Sequence, residues 1–88
     1  MLKRELGKSE IEVNALGLGC WAIGGPWTFD GHQAGWGDVD DQSSIRAIHY
    51  ALDQGIDFFD TAANYGCGHS ERILGRALSG RRDQVVIA

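Results

Sequence analysis

The sequence has no run of basic residues. Its 8 lysines and arginines are outnumbered by 12 acids, for a formal net charge of −4, so nothing points to nucleic acid or to an anionic membrane as a partner. Long apolar runs are missing too. The amino end, MLKRELGKSE, lacks the hydrophobic centre of a signal peptide, and no stretch approaches the length needed to span a bilayer. A soluble cytoplasmic protein is the expectation. Cysteine is scarce: Cys20 and Cys67 have no CxxC spacing and no companion pair, which argues against a structural zinc or a disulfide framework. Two free thiols are expected, with the alternative that both lie at strand carboxyl ends and meet as a redox-sensitive pair. His32 and His69 have no compact ligand spacing with them, so solvated loop histidines are expected and no metal site. A dinucleotide fingerprint is lacking as well. Gly17, Gly19 and Gly24 do not make GxGxxG, because Ala22 stands at the third glycine position and no helix follows at once.

What is present concentrates between Gly55 and Gly68, GIDFFDTAANYGCG. Residues 56–60 form a short apolar run ending in a carboxylate and bounded by glycine and small residues, which predicts a buried strand. Ile56, Phe58 and Asp60 then share one face, and a carboxylate on a buried face requires a cation or donors. Tyr65 follows in a loop between Asn64 and Gly66. A phenol and a carboxylate thus sit just past the carboxyl end of one strand, where α/β barrels and open α/β sheets place reactive groups.

In chain order, Leu2 to Leu6 and Ile11 to Val13 flank a glycine-containing polar stretch and predict a β-hairpin over 2–13. Residues 15–21 read as a strand with Leu16, Leu18 and Cys20 on one side and Gly17, Gly19 and Trp21 on the other. Glycine inside a strand marks a close approach, and a cofactor ring near Gly19 and Trp21 would supply the reason; a core tryptophan is the competing reading of Trp21. Residues 24–40 form a long loop with Trp27, Phe29 and Trp36, read as a wall over the site mouth or, alternatively, as an anchor for a neighbouring subunit. A helix over 41–54 carries Ile45, Ile48, Ala51 and Leu52 on its stripe and stops at Gly55, leaving His49 to solvent. A second helix over 70–79 starts at a Ser70 cap and buries Ile73, Leu74, Ala77 and Leu78. Gly66 and Gly68 before it read as a turn, since Glu71 stands where a bound anion would go. A third strand begins over 84–88. The order β, α, β, α, β fits either a barrel or a doubly wound sheet.

The string FFDTAANYG.G.SE..LG.AL, with LGLGCW upstream and RDQVVIA downstream, resembles the aldo-keto reductases through nearly the whole chain. The resemblance implies the N-terminal part of a (β/α)8 TIM barrel preceded by a hairpin that plugs its amino-terminal end. It implies an oxidoreductase that reduces aldehydes or ketones with NADP(H), NAD(H) being possible, and takes a small-molecule carbonyl substrate. Carried over by position, Tyr65 is the proton donor and Asp60 fixes a catalytic lysine. Gly19, Cys20, Trp21 and Asp60 border the cofactor, and Trp21, Trp27 and Tyr65 line the substrate pocket. The lysine and a histidine belong to later segments of the family pattern. A barrel of eight βα units needs roughly 250 residues, so 88 residues are expected to be inactive alone and to need the remainder of the barrel from the same or another chain. Two alternatives are a regulatory, channel-associated type of barrel with little turnover, and a stand-alone βα domain.

Overall fold

A computed structural model describes residues 2–88. In chain order it has β1 (Lys3–Glu5), β2 (Glu12–Asn14), β3 (Leu18–Gly19), β4 (Thr28–Phe29), β5 (His32–Gln33), α1 (Asp41–Asp53), β6 (Phe58–Asp60), α2 (His69–Ala77) and β7 (Val86–Ile87). One-turn 3-10 segments occupy Ala22–Gly24, Tyr65–Gly68 and Arg82–Gln84.

The two helices each carry one apolar stripe that water does not favour. Ile48 of α1 and Ile73, Leu74 and Ala77 of α2 meet Cys20, Phe59, Leu78 and Val85 in one buried cluster, flanked by Leu18, Ile23, Ile45, Leu52, Ile56 and Ile87. The sheet beneath them has the order β3-β6-β7 and is parallel throughout. Its register pairs Leu18 with Phe59 and Phe59 with Ile87 on the helix side, and Gly19 with Asp60 and Phe58 with Val86 on the other. Helices thus cover one face of the sheet, and the α/β class follows from alternation of strand and helix along the chain.

The strand expected over 15–21 pairs only at Leu18 and Gly19. By Trp21 the backbone is already helical, with φ −64 and ψ −47, and Gly17 lies under the Phe58 ring, where a Cβ would come within 2.9 Å of Phe58 Cδ2. Strand pairing in β6 and β7 is likewise shorter than the expected 56–60 and 84–88, because Gln84 still belongs to a 3-10 turn. The long loop expected over 24–40 contains a second antiparallel pair, with Thr28 opposite Gln33 and Phe29 opposite His32. Asp30 and Gly31 join them with φ of 53 and 78, as a two-residue type I′ turn requires.

β1 and β2 pair antiparallel, Lys3 with Asn14 and Glu5 with Glu12. Asp57 holds this pair to the start of β6. Its carboxylate accepts from the Asn14 N–H at 2.8 Å and from Lys3 Nζ at 3.0 Å. Partial burial works against the Asp57 charge, but these two donors outweigh it and hold the carboxyl below its ordinary range. The attachment lies at the amino end of β6, opposite to Asp60.

Candidate active site

The carboxyl ends of β3 and β6 lie side by side, and Gly19 is paired with Asp60. From that junction the chain turns outward twice, at Trp21 and at Tyr65. The two turns touch through their backbones: Gly24 and Gly66 pack so closely that a Cβ on Gly66 would run into the Gly24 carbonyl. Gly66 also has φ 62, so both space and conformation select glycine there. This contact brings the Trp21 and Tyr65 rings together. They stack at 5.7 Å between centroids and 10° between planes, an offset-stacked spacing for aromatic pairs. Trp36 closes on Trp21 edge-on at 5.9 Å and 78°, and Trp21 Nε1 donates to the Ala34 carbonyl at 3.1 Å.

The result is a cleft of about 320 Å³ lined by Gly19, Cys20, Trp21, Ala22, Trp36, Asp60 and Tyr65. The resemblance implied Gly19, Cys20, Trp21, Asp60 and Tyr65 around one site, and all five line this cleft. It does not bring Trp27 into this cleft. Trp27 lines a separate cavity of about 470 Å³ with Pro26, Thr28, Gln33, Gly66 and Cys67. Trp36, beyond the second strand of the hairpin of β4 and β5, takes the aromatic position instead. The Asp-Gly pair between Phe29 and His32 was the sequence signal for this hairpin.

Asp60 was expected on a buried face met by a cation. Among the described residues Phe59 is the buried residue of this strand and Asp60 is exposed. Its side chain makes no hydrogen bond or ion pair among the described residues, and it stands on the sheet face the helices leave open. Cys20 points the other way, into the helix-covered core, with 1 % of its surface exposed. Burial, reinforced by the Asp60 charge, pushes its thiol up to about 11, so Cys20 contributes little more than backbone to the cleft. Cys67 is exposed and both thiols are free; a redox pair between them is not built.

Ser70 and His69 differ from their expected roles, and His49 is exposed as expected. Ser70 is not a helix cap: α2 begins at His69, after Gly68, and Ser70 is fully buried. Its Oγ donates to the Cys20 carbonyl at 2.7 Å and lies 2.8 Å from Thr61 Oγ1. His69, expected in solvent, lies 2.7 Å from Asp41 Oδ1 and ties the first turns of the two helices. His49 is exposed yet places Nε2 2.8 Å from the Ala77 carbonyl at the end of α2, where unpaired helix carbonyls accept hydrogen bonds.

The structure closely matches solved ones. An aldo-keto reductase AKR11C1 from Bacillus halodurans, in its holo form, superposes with a TM-score of 0.78 at 32% identity over 98% of this chain and 24% of its own. An aldo-keto reductase from Klebsiella pneumoniae in complex with NADPH gives 0.72 at 30% identity, over 99% of this chain and 27% of its own. In sequence, the chain is 49% identical over 80 residues to the aldo-keto reductase YhdN of Bacillus subtilis, covering 89% of this chain and 22% of that protein. It is 42% identical over 88 residues to the NADH-specific methylglyoxal reductase of Escherichia coli, covering 99% and 25%. The chain therefore spans about a quarter of the length of these relatives. The family model described as the aldo/keto reductase family matches residues 15–88. A sheet whose open face carries a glycine, a carboxylate and a phenol at its carboxyl end, and a match running from Ala15 to Ala88, lead to one assignment: the chain belongs to the aldo/keto reductase family.

Proposed function

We propose that the chain forms one wall of the active site of a (β/α)8 reductase that reduces aldehydes or ketones with a nicotinamide dinucleotide. The single observation that carries this reading is the meeting of Gly19, Trp21, Asp60 and Tyr65 in one cleft. The residues present suit a flat ring. Gly19 has open space where a Cβ would be, and its strand neighbour Asp60 is exposed beside it. Gly19 and the backbone of Cys20 would border the ring, and Trp21 its edge. One of the solved relatives holds NADPH and one of the curated relatives is NADH-specific, which supports NADP(H) or NAD(H) as the cofactor. Bound there, the reduced cofactor supplies the hydride to the carbonyl carbon.

The chain's own part is the proton. As negative charge builds on the carbonyl oxygen, Tyr65 Oη gives up its proton to it. A phenol with an ordinary pKa of about 10 is a weak acid at neutral pH, so a cation nearby is needed to ease the transfer. Asp60 would hold that cation, an amine from a later barrel segment, through an ion pair. Its exposed and unpaired carboxylate is in a position to do so. Trp21 and Trp36 then present apolar surface to the substrate's carbon skeleton.

Phenylalanine at position 65 in the complete barrel tests the assignment: carbonyl turnover should fall by roughly 10²–10⁴-fold while nicotinamide binding survives. Undiminished turnover would remove Tyr65 from the reaction. Rapid mixing of the NADPH-loaded protein with a panel of aldehydes separates this reading from a regulatory barrel, which would leave the cofactor unoxidised.

A further inference from the structure

Among the described residues, Ser70 is a fully buried hydroxyl that borders the cleft without lining it. A carbonyl oxygen only accepts, so the single Ser70 proton is committed to Cys20, 2.7 Å away. Thr61 must then donate its own proton to Ser70 Oγ across 2.8 Å. The direction of the chain is fixed: Thr61 hydroxyl to Ser70 hydroxyl to Cys20 carbonyl, each bond polarising the next in a site with no exposed Ser70 surface. The Cys20 N–H in turn donates to the Asp60 carbonyl at 2.8 Å. Both backbone polar groups of Cys20 are thereby held, one by β6 and one by α2. The Thr61 N–H extends the same junction to the next strand, donating to the Ala88 carbonyl at 2.9 Å.

Cys20 and Thr61 each adjoin a residue of the cleft. Trp21 leaves the strand through the Cys20 carbonyl, and Asp60 precedes Thr61. We propose that Ser70, with Thr61 as its hydrogen-bond donor, is a positioning residue for the candidate active site, fixing where the Trp21 ring meets Tyr65 and how Asp60 is presented. Neither hydroxyl lines the cleft. Both act through the peptide between Cys20 and Trp21, so the seating of α2 on the sheet sets the geometry of the aromatic stack. The effect on turnover rests on the reductase reading; the effect on the stack does not.

The test compares Ser70→Ala, Thr61→Val and Thr61→Ser in the complete protein by three measurements: thermal unfolding, kcat and KM for an aldehyde, and the near-ultraviolet circular dichroism contributed by Trp21, isolated by repeating each variant in a Trp21→Phe background. Displacements of a fraction of an ångström in a positioned site carry large kinetic penalties, and Ser70→Ala is expected to lower kcat/KM by about tenfold and to change the Trp21 signal. Thr61→Val should move both in the same direction, and Thr61→Ser, which keeps the donor, should match the parent. If Ser70→Ala does not fold, Thr61→Val decides alone. Variants that only lower the unfolding temperature, with the Trp21 signal and kcat and KM unchanged, would overturn the proposal. So would an altered signal with parental kinetics, or a Thr61→Ser protein that behaves like Thr61→Val. A parent protein with no carbonyl turnover would instead sink the reductase reading, while the Trp21 signal would still test the positioning role.

Discussion

The two faces of the three-stranded sheet differ sharply in what their residues are for. On one, Leu18, Phe59 and Ile87 meet two helices, and Phe59 is wholly buried. On the other, Gly19, Phe58, Asp60 and Val86 face away from the helices, and the carboxyl end of that face holds the stacked rings and the exposed carboxylate. The covered face spends hydrophobic burial to fix the strands in register. The open face carries a glycine, a carboxylate, an aromatic ring and a valine, and their positions are inherited from that packing. Substitutions on the first should therefore be read as stability, and substitutions on the second as binding and turnover.

The largest effect expected from breaking this division is on the covered face. Phe59→Ala removes a fully buried ring and should cost about 3–5 kcal/mol, measured by denaturant unfolding; a cost near that of a surface substitution would mean the helices do not depend on this strand. Next comes the contact that joins the two turns. Gly66→Ala would place a methyl against the Gly24 backbone at a positive φ, and a loss of about 1–3 kcal/mol is expected, together with a loss of the Trp21–Tyr65 stack in near-ultraviolet dichroism.

A smaller effect belongs to the amino-terminal attachment. The folded-state Asp57 carboxyl lies below its ordinary value, so its stabilisation is complete above about pH 4 and is lost as pH falls through the lowered folded value. Asp57→Asn should lower stability at pH 7 by about 1 kcal/mol and flatten the acid limb of the stability curve; an unchanged acid limb would show that the Lys3 and Asn14 contacts do not hold the carboxylate. The smallest change is chemical. Native protein treated with iodoacetamide at neutral pH should be alkylated at Cys67 and not at Cys20, with Cys20 reacting only in denaturant, as peptide mapping would show. Equal labelling of both in the native state would contradict the placement of Cys20 in the core.

The helices and the alternation of strand and helix along the chain were legible because 3.6-residue stripes and short apolar runs are local properties, whereas the grouping of Gly19 and Trp21 with Asp60 and Tyr65 came from the resemblance to the aldo-keto reductases. Which face of β6 is covered was not legible. Alternation says that Ile56, Phe58 and Asp60 share a side, but Phe58 and Phe59 are both large and apolar, so composition alone does not say which face the two helices cover. The hairpin at Asp30 and Gly31 carried a recognisable turn signal that was hidden inside a glycine-rich stretch read as one loop. Ser70 shows a different limit. A serine at a helix start reads as a cap, and only the approach of the Cys20 carbonyl, fifty positions away in sequence, reveals that its hydroxyl joins a helix to a strand.

The most direct test of a nicotinamide seat on the open face is Gly19→Val. A Cβ at Gly19 meets no atom within 4 Å, so the added side chain should leave thermal stability within about 0.5 kcal/mol of the parent while occupying the space beside Asp60. Titration of the complete protein with NADPH and NADH should then show cofactor affinity reduced by tenfold or more, about 1.4 kcal/mol. Unaltered affinity for both, in a variant of parental stability, would show that no nicotinamide rests against this face.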